Sequence, residues 1–190
     1  MLHRLFVWAM AAGMAGMCLG PAHGAGMDRL VARGKYLVTI GGCTDCHTPG
    51  SFFGHPDMTR YLGGSDVGFA IPGQGVFVGA NLTPDKKTGL GTWTTQQIVT
   101  AITTGVRPDG RILAPIMPWR AFSHLTRTDA LAIAAYLRSL PPVAHKVAGP
   151  FGPNATPGVF VMALLPGGVY ATLAHGDAKQ HGGAKQGAAK

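Results

Sequence analysis

The chain has 190 residues, of which 46% are hydrophobic, and a formal net charge of +8 from 16 Lys and Arg against 8 acids. That apolar fraction excludes an intrinsically disordered chain, and the length admits one domain with an appendage. Every acid is an aspartate, and the surplus of cations suits docking to an acidic partner or to an anionic membrane surface.

Residues 1–24 read as a secretory signal peptide, with a basic start at Leu2-His3-Arg4, an apolar core from Leu5 to Leu19, and a small-residue cleavage site at Ala22-His23-Gly24. The apolar run falls short of the ~20 residues that a spanning helix requires. Cleavage before Ala25 is therefore expected, with retention as an anchor as the other reading, and both place the protein in the periplasm. Cys18 lies inside this segment, where Met17 fills a position at which lipoprotein signals want a small residue. The mature chain then holds two cysteines, Cys43 and Cys46, and no disulfide is expected.

Met27 to Thr39 carries apolar residues near helical spacing and predicts an amphipathic helix that Gly41-Gly42 ends. Gly34 inside it costs roughly 1 kcal/mol relative to Ala, which a close crossing with another helix would explain. Directly after comes Cys43-Thr44-Asp45-Cys46-His47, a pattern to which haem attaches covalently. The two thiols add across the porphyrin vinyl groups, the two-residue spacer brings both onto one turn, and His47 supplies the proximal nitrogen. A redox dithiol would need a βαβ context and a structural zinc would need more ligands at matching spacing. Neither accompanies this motif. The carbonyl of Pro49 is expected to accept the other ring hydrogen of His47 and so set its tautomer.

Residues 50–91 are rich in Gly, Pro, Asn and Asp, and their short apolar fragments at 69–71 and 76–78 are read as parts of a long loop wrapping a porphyrin edge. Thr94 and Gln97 form a capping box that opens a second helix, with Gly105 as its stop. After a turn at 107–111, Met117 sits between Pro115 and Pro118 in a segment expected to be extended and rigid. Thr126 and Asp129 open the strongest predicted helix, which Pro141-Pro142 stops. Residues 149–174 are apolar but broken by prolines and paired glycines, and read as an extended tail against the domain or a partner. Residues 175–190 contain mostly Gly, Ala, Lys and Gln, and read as disordered.

The sixth iron position decides between electron transfer and bond-making chemistry. Met117 is the first candidate for it, because it lies far downstream of His47 and its loop runs into the last helix. Met58 is close to His47 in sequence, Met162 belongs to the tail, and His124 is the leading substitute.

These residues resemble the class I c-type cytochromes. The closer likeness is to monohaem cytochrome c subunits and carriers that serve periplasmic dehydrogenases of alcohols, aldehydes and sugar acids. It rests on Gly34-Lys-Tyr36-Leu, Cys46-His-Thr-Pro49, Asn81-Leu-Thr-Pro-Asp85, Thr88-Gly-Leu-Gly-Thr-Trp93, Gly105-Val-Arg-Pro-Asp-Gly110 and Met117-Pro-Trp119. The resemblance implies an all-α fold over residues 25–148, a few helices around one covalent haem c, with Trp93 or Trp119 shielding it. It also implies that Gly34 and Tyr36 pack on Tyr136 and Leu137. The implied function is electron transfer from a dehydrogenase toward the respiratory chain, by a carrier or subunit that is not itself the catalyst. Its expected partners are a redox donor and acceptor, including a membrane-bound dehydrogenase complex, with peripheral membrane contact and no nucleic acid. The alternative is a haem enzyme or gas sensor with an open sixth position.

Overall fold

The computed structural model describes residues 22–173. The signal-peptide reading of residues 1–24, apart from its last three residues, and the disorder reading of 175–190 lie outside that range. The described elements run in the order α1 (Ala22–Ile40), α2 (Cys43–His47), β1 (Val67–Ile71), β2 (Gly75–Val78), α3 (Thr95–Thr104), α4 (Trp119–Phe122), α5 (Arg127–Ser139) and β3 (Phe160–Ala163), with residues 167–173 helical after β3.

The scaffold is the crossing of α1 and α5. A Cβ on Gly34 would stand 1.9 Å from the carbonyl oxygen of Ala132 and 2.7 Å from Tyr136 Cβ, so the two backbones meet at a distance only glycine permits. Gly34 thus meets Tyr136, whereas Tyr36 points away and is exposed under the guanidinium of Arg33. The same arginine donates from Nε to Asp129 at 2.8 Å, tying α1 to the first turn of α5 and holding that carboxyl below its usual range. Around the crossing, Val38, Leu62, Ile98, Val99, Ile133, Ala134 and Leu137 form the buried core.

Both downstream helices start and stop where their sequences specify. Thr94 accepts from the Gln97 N–H at 3.2 Å while the Gln97 side chain accepts from the Thr94 N–H at 2.8 Å, and Gly105 ends α3 in the left-handed conformation at φ 76°. Thr126 caps α5 by accepting from the Asp129 N–H at 3.1 Å. The Asn81–Thr88 stretch is a clamp on the chain leaving α5. Asn81 donates to the Val143 carbonyl at 2.7 Å, and Thr83 Oγ1 accepts from the Val143 N–H at 3.0 Å.

The all-α expectation is corrected by a small sheet of order β2-β1-β3. Residues 67–78 form an antiparallel hairpin, not a wrapping loop, with Ile71 opposite Gly75 and Gly68 opposite Val78. The third strand comes from the apolar tail: β3 lies parallel to β1, Val67 opposite Phe160 and Ala70 opposite Ala163. Phe151 adds a bridge, exchanging hydrogen bonds with Val76 at 2.9 Å in both directions. The tail is therefore stitched to the domain by backbone pairing that no local pattern announces, since β1 and β3 are separated by almost the whole domain.

Gly34→Ala should lower the stability of the holoprotein by about 1–3 kcal/mol, the usual range for forcing extra volume into a packed contact. Thermal unfolding followed by circular dichroism measures it, with Gly152→Ala, which faces open space, as the control expected to change little.

Candidate haem site

The Cys43–His47 turn begins after Gly42, whose φ of 63° lets the chain reverse out of α1. Cys43 and Cys46 are half-buried on one turn, with His47 at its end. Burial pushes the Cys43 thiol up to about 11 and raises that of Cys46 as well, with the Asp45 charge adding to the shift in both. A redox dithiol works through a thiolate stabilised at neutral pH, so this environment is poorly suited to dithiol chemistry. Neutral thiols shielded from solvent are compatible with permanent thioether attachment.

His47 is buried, and desolvation lowers its pKa and keeps the imidazole neutral, opposed by its backbone hydrogen bond to Ala80. Nδ1 lies 2.6 Å from the Ala80 carbonyl oxygen. A carbonyl only accepts, so Nδ1 carries the hydrogen and Nε2 keeps its lone pair for a metal. This replaces the expected role of Pro49, whose carbonyl instead accepts from the Asp57 N–H at 2.8 Å. The approach of Ala80 depends on Gly79, where a Cβ would stand 1.6 Å from the Cys46 carbonyl oxygen. Two further bonds fix the segment. The His47 carbonyl accepts from the Gly64 N–H at 2.8 Å, and Ser65 N–H donates to the Gly79 carbonyl at 2.9 Å.

Met117 lies in a turn and not in an extended segment, its N–H donating to Ala114 at 3.0 Å. It is half-buried, whereas Met27, Met58 and Met162 are exposed, as is His124. The turn leads into α4, where Phe122 and Cys43 Sγ both come within 4 Å of a Cβ placed on Gly41. The segment after Met117 therefore reaches the start of the cysteine turn. Trp119 lies against Gly105, where a Cβ would stand 2.7 Å from the indole. Trp93 packs on the core, and its ring faces the Arg107 guanidinium at 5.4 Å.

Among the described residues, the buried donors Arg107 Nε and Trp119 Nε1 lack a hydrogen-bond acceptor. Arg107 Nε stands 3.4 Å from an Asp109 oxygen, close enough for attraction but without hydrogen-bond geometry. Buried donors left unpaired are costly, and a bound group offering acceptors would relieve that cost. A haem carries two propionates. The orphaned donors, the neutral His47 with a free Nε2 and the paired cysteines fit that group. Arg107 and Ala80 were not anticipated. A backbone carbonyl has no side-chain signature, and Gly79 between a strand-like run and Asn81 was the only available hint.

The chain has relatives among c-type cytochromes. It is 30% identical over 174 residues to the cytochrome c subunit of alcohol dehydrogenase (quinone) from Gluconobacter oxydans, covering 80% of this chain and 34% of that protein. It is 35% identical over 108 residues to the fructose dehydrogenase cytochrome subunit of Gluconobacter japonicus, covering 56% and 20%. A diheme cytochrome c-type protein of Cereibacter sphaeroides is 29% identical over 170 residues, covering 84% and 55%. The chain spans about a third of the length of the alcohol dehydrogenase subunit it matches. No protein-family model matches it. By homology the chain is related to the c-type cytochromes that occur as subunits of dehydrogenases, and these relatives imply haem c as its cofactor.

Gly79→Ala should reduce the yield of haem-loaded protein by several-fold, since the added methyl displaces Ala80 from His47. Haem stain per unit of purified protein measures this, and equal loading of Gly79→Ala and wild type would contradict the role given to this approach.

Proposed function

We propose that this protein is a periplasmic electron carrier or electron-transfer subunit holding one haem c, and that it accepts electrons from a dehydrogenase and passes them toward the respiratory chain. The observation that carries this reading is the single turn presenting Cys43, Cys46 and a neutral His47 whose Nδ1 is already committed to Ala80. When bound, the haem supplies one-electron chemistry by cycling iron between Fe(III) and Fe(II). Cys43 and Cys46 would hold it by thioethers, His47 Nε2 and the Met117 sulfur would be its iron ligands, and Arg107 and Trp119 would offer donors to its carboxylates. A soft thioether sulfur in the half-buried setting of Met117 would favour the less charged, reduced state. The relatives are subunits of dehydrogenases for alcohol, fructose and gluconate, which supports a dehydrogenase as the donor. The motif occurs once in these 190 residues.

The purified protein is expected to retain its haem through acid–acetone extraction, and haem in the organic phase would refute covalent attachment. Met117→Ala should abolish the weak sulfur-to-iron charge-transfer band and lower the reduction potential, within the ~0.8 V range that axial ligation spans. Met58→Ala and Met162→Ala should retain the band. If wild-type protein lacks the band and binds carbon monoxide rapidly, the open-site alternative replaces the carrier.

A further inference from the structure

The segment leaving α5 brings a second histidine to the back of the cysteine turn. His145 is half-buried, and its Nδ1 lies 2.8 Å from the Gly63 carbonyl oxygen. A carbonyl only accepts, so Nδ1 carries the hydrogen. The same peptide unit continues on its other side, where the Gly64 N–H donates to the His47 carbonyl at 2.8 Å. One peptide group therefore stands between the two histidines, polarised at its oxygen by His145 and presenting its N–H to the backbone of the candidate iron ligand. The approach is close: a Cβ on Gly63 would stand 2.9 Å from Val143 Cγ1, and one on Gly64 2.1 Å from Val147 Cγ2.

The backbone of His145 is held independently of its ring. Its N–H donates to Thr88 Oγ1 at 3.2 Å, and its carbonyl accepts from the buried Asn81 amide at 3.3 Å. Asn81 follows Ala80, whose carbonyl accepts from His47 Nδ1. By contrast Nε2 of His145 meets no hydrogen-bond partner among the described residues and is not shut off from water. A proton can add there without breaking the Nδ1 bond, and the resulting cation is a stronger donor to Gly63.

The charged groups on the surrounding elements do not neutralise this ring. The 57–66 segment carries Arg60 paired with Asp57 at 2.7 Å, and Asp66, which accepts from the Gly50 N–H. In the 81–91 loop, hydrogen bonds from Thr88 and Lys87 hold the Asp85 carboxyl below its usual range, beside the exposed Lys86 and Lys87. The cysteine turn adds Asp45, and the segment of His145 itself adds Lys146. Among the described residues none of these acids pairs with the imidazole.

We propose that His145 is a redox-linked proton site, binding a proton at Nε2 more tightly in the reduced than in the oxidised holoprotein and coupled to His47 through the Gly63–Gly64 peptide. This rests on the reading of His47 as the ligand of a covalent haem. A positive ring favours the state with one positive charge fewer, and by reciprocity the added electron favours the proton. When the redox donor delivers one electron, up to one proton enters Nε2 from water, and both leave on reoxidation. The reduction potential then falls as pH rises through the interval from about 5 to 8, where histidine ordinarily changes charge. His145 acts through His47, so it is a positioning residue.

The test is spectroelectrochemical titration of the full-length holoprotein across that interval. A difference in proton affinity of about fivefold between the two redox states, the low end for coupled sites, corresponds to a fall of about 40 mV at 59 mV per tenfold for one electron. His145→Asn sets an amide nitrogen where Nδ1 stood, keeping the donor to Gly63 and removing the titrating nitrogen, so most of the slope should vanish with the low-spin spectrum unchanged. His55→Asn, at an exposed histidine, should retain the slope. A flat wild-type potential overturns the proposal, as does an undiminished slope in His145→Asn, which would assign the proton elsewhere, the haem carboxylates included. Should His145→Asn fail to mature, NMR of histidine-labelled wild-type holoprotein decides: His145 should titrate at higher pH in the reduced protein, and equal titration in both states overturns the proposal. Covalent haem with a flat potential overturns this proposal alone, whereas haem lost to acid–acetone overturns it together with the reading on which it rests.

Discussion

A buried imidazole must place its N–H on an acceptor, and that requirement organises this molecule. Removing His47 from water leaves Nδ1–H without solvent, and leaving it unpaired would cost about 1–3 kcal/mol. The acceptor is the Ala80 carbonyl, and bringing it there draws a chain of consequences. Residue 79 must be glycine, because any side chain would collide with the Cys46 carbonyl. The chain leaving β2 must pass along the haem turn, with Gly79 against the Cys46 carbonyl. Asn81, immediately after, turns the chain into the loop that clamps the exit from α5 at Val143. One hydrogen bond at the candidate iron ligand is thereby linked to the sheet and to the helix crossing.

That chain of dependence explains which parts of the structure are legible in the sequence. The helix ends are set by side chains adjacent in sequence, Thr94 with Gln97 and Thr126 with the Asp129 N–H, and both are read directly from residue types. Gly34 announces a close crossing because a glycine in a helix interior is otherwise unfavourable. The Cys43–His47 turn carries its chemistry in its own spacing. The sheet does not, because β2 has four residues, β1 has five, and the third strand arrives from residue 160. No period-2 pattern is long enough in any one of them. The Pro49 expectation failed for a related reason. Sequence proximity to His47 favoured it, but the acceptor is 33 residues away.

Electrostatics separate the two ends of the molecule. Near the haem turn, charge is sparse and compensated: the Asp66 carboxylate accepts from the Gly50 N–H at 3.1 Å, and Arg60 pairs with Asp57 at 2.7 Å. Hydrogen bonds from Thr59 and Arg60 hold the Asp57 carboxyl down to about 2, so the Arg60–Asp57 pair is intact at any physiological pH. Past Asp129 the sequence itself turns basic, with Asp177 as its one acid against Arg138, Lys146, Lys179, Lys185 and Lys190.

The two ends nevertheless meet in space. Phe160 of β3 stacks edge-on against Phe53 at 4.9 Å, and Phe53 belongs to the 3-10 turn whose Ser51 hydroxyl donates to the Thr44 carbonyl inside the cysteine turn. A surface that held the tail would therefore also orient the haem turn, because only a few rigid contacts separate Phe160 from Thr44. Electron transfer between proteins depends on the distance and direction of an exposed cofactor edge toward its partner. Holding the tail strand and the cysteine turn in one body reduces the orientations that a partner must sample, which lowers the ordering cost of an encounter. A backbone-paired strand performs this better than a flexible linker, since pairing with β1 transmits position whereas a linker transmits only proximity.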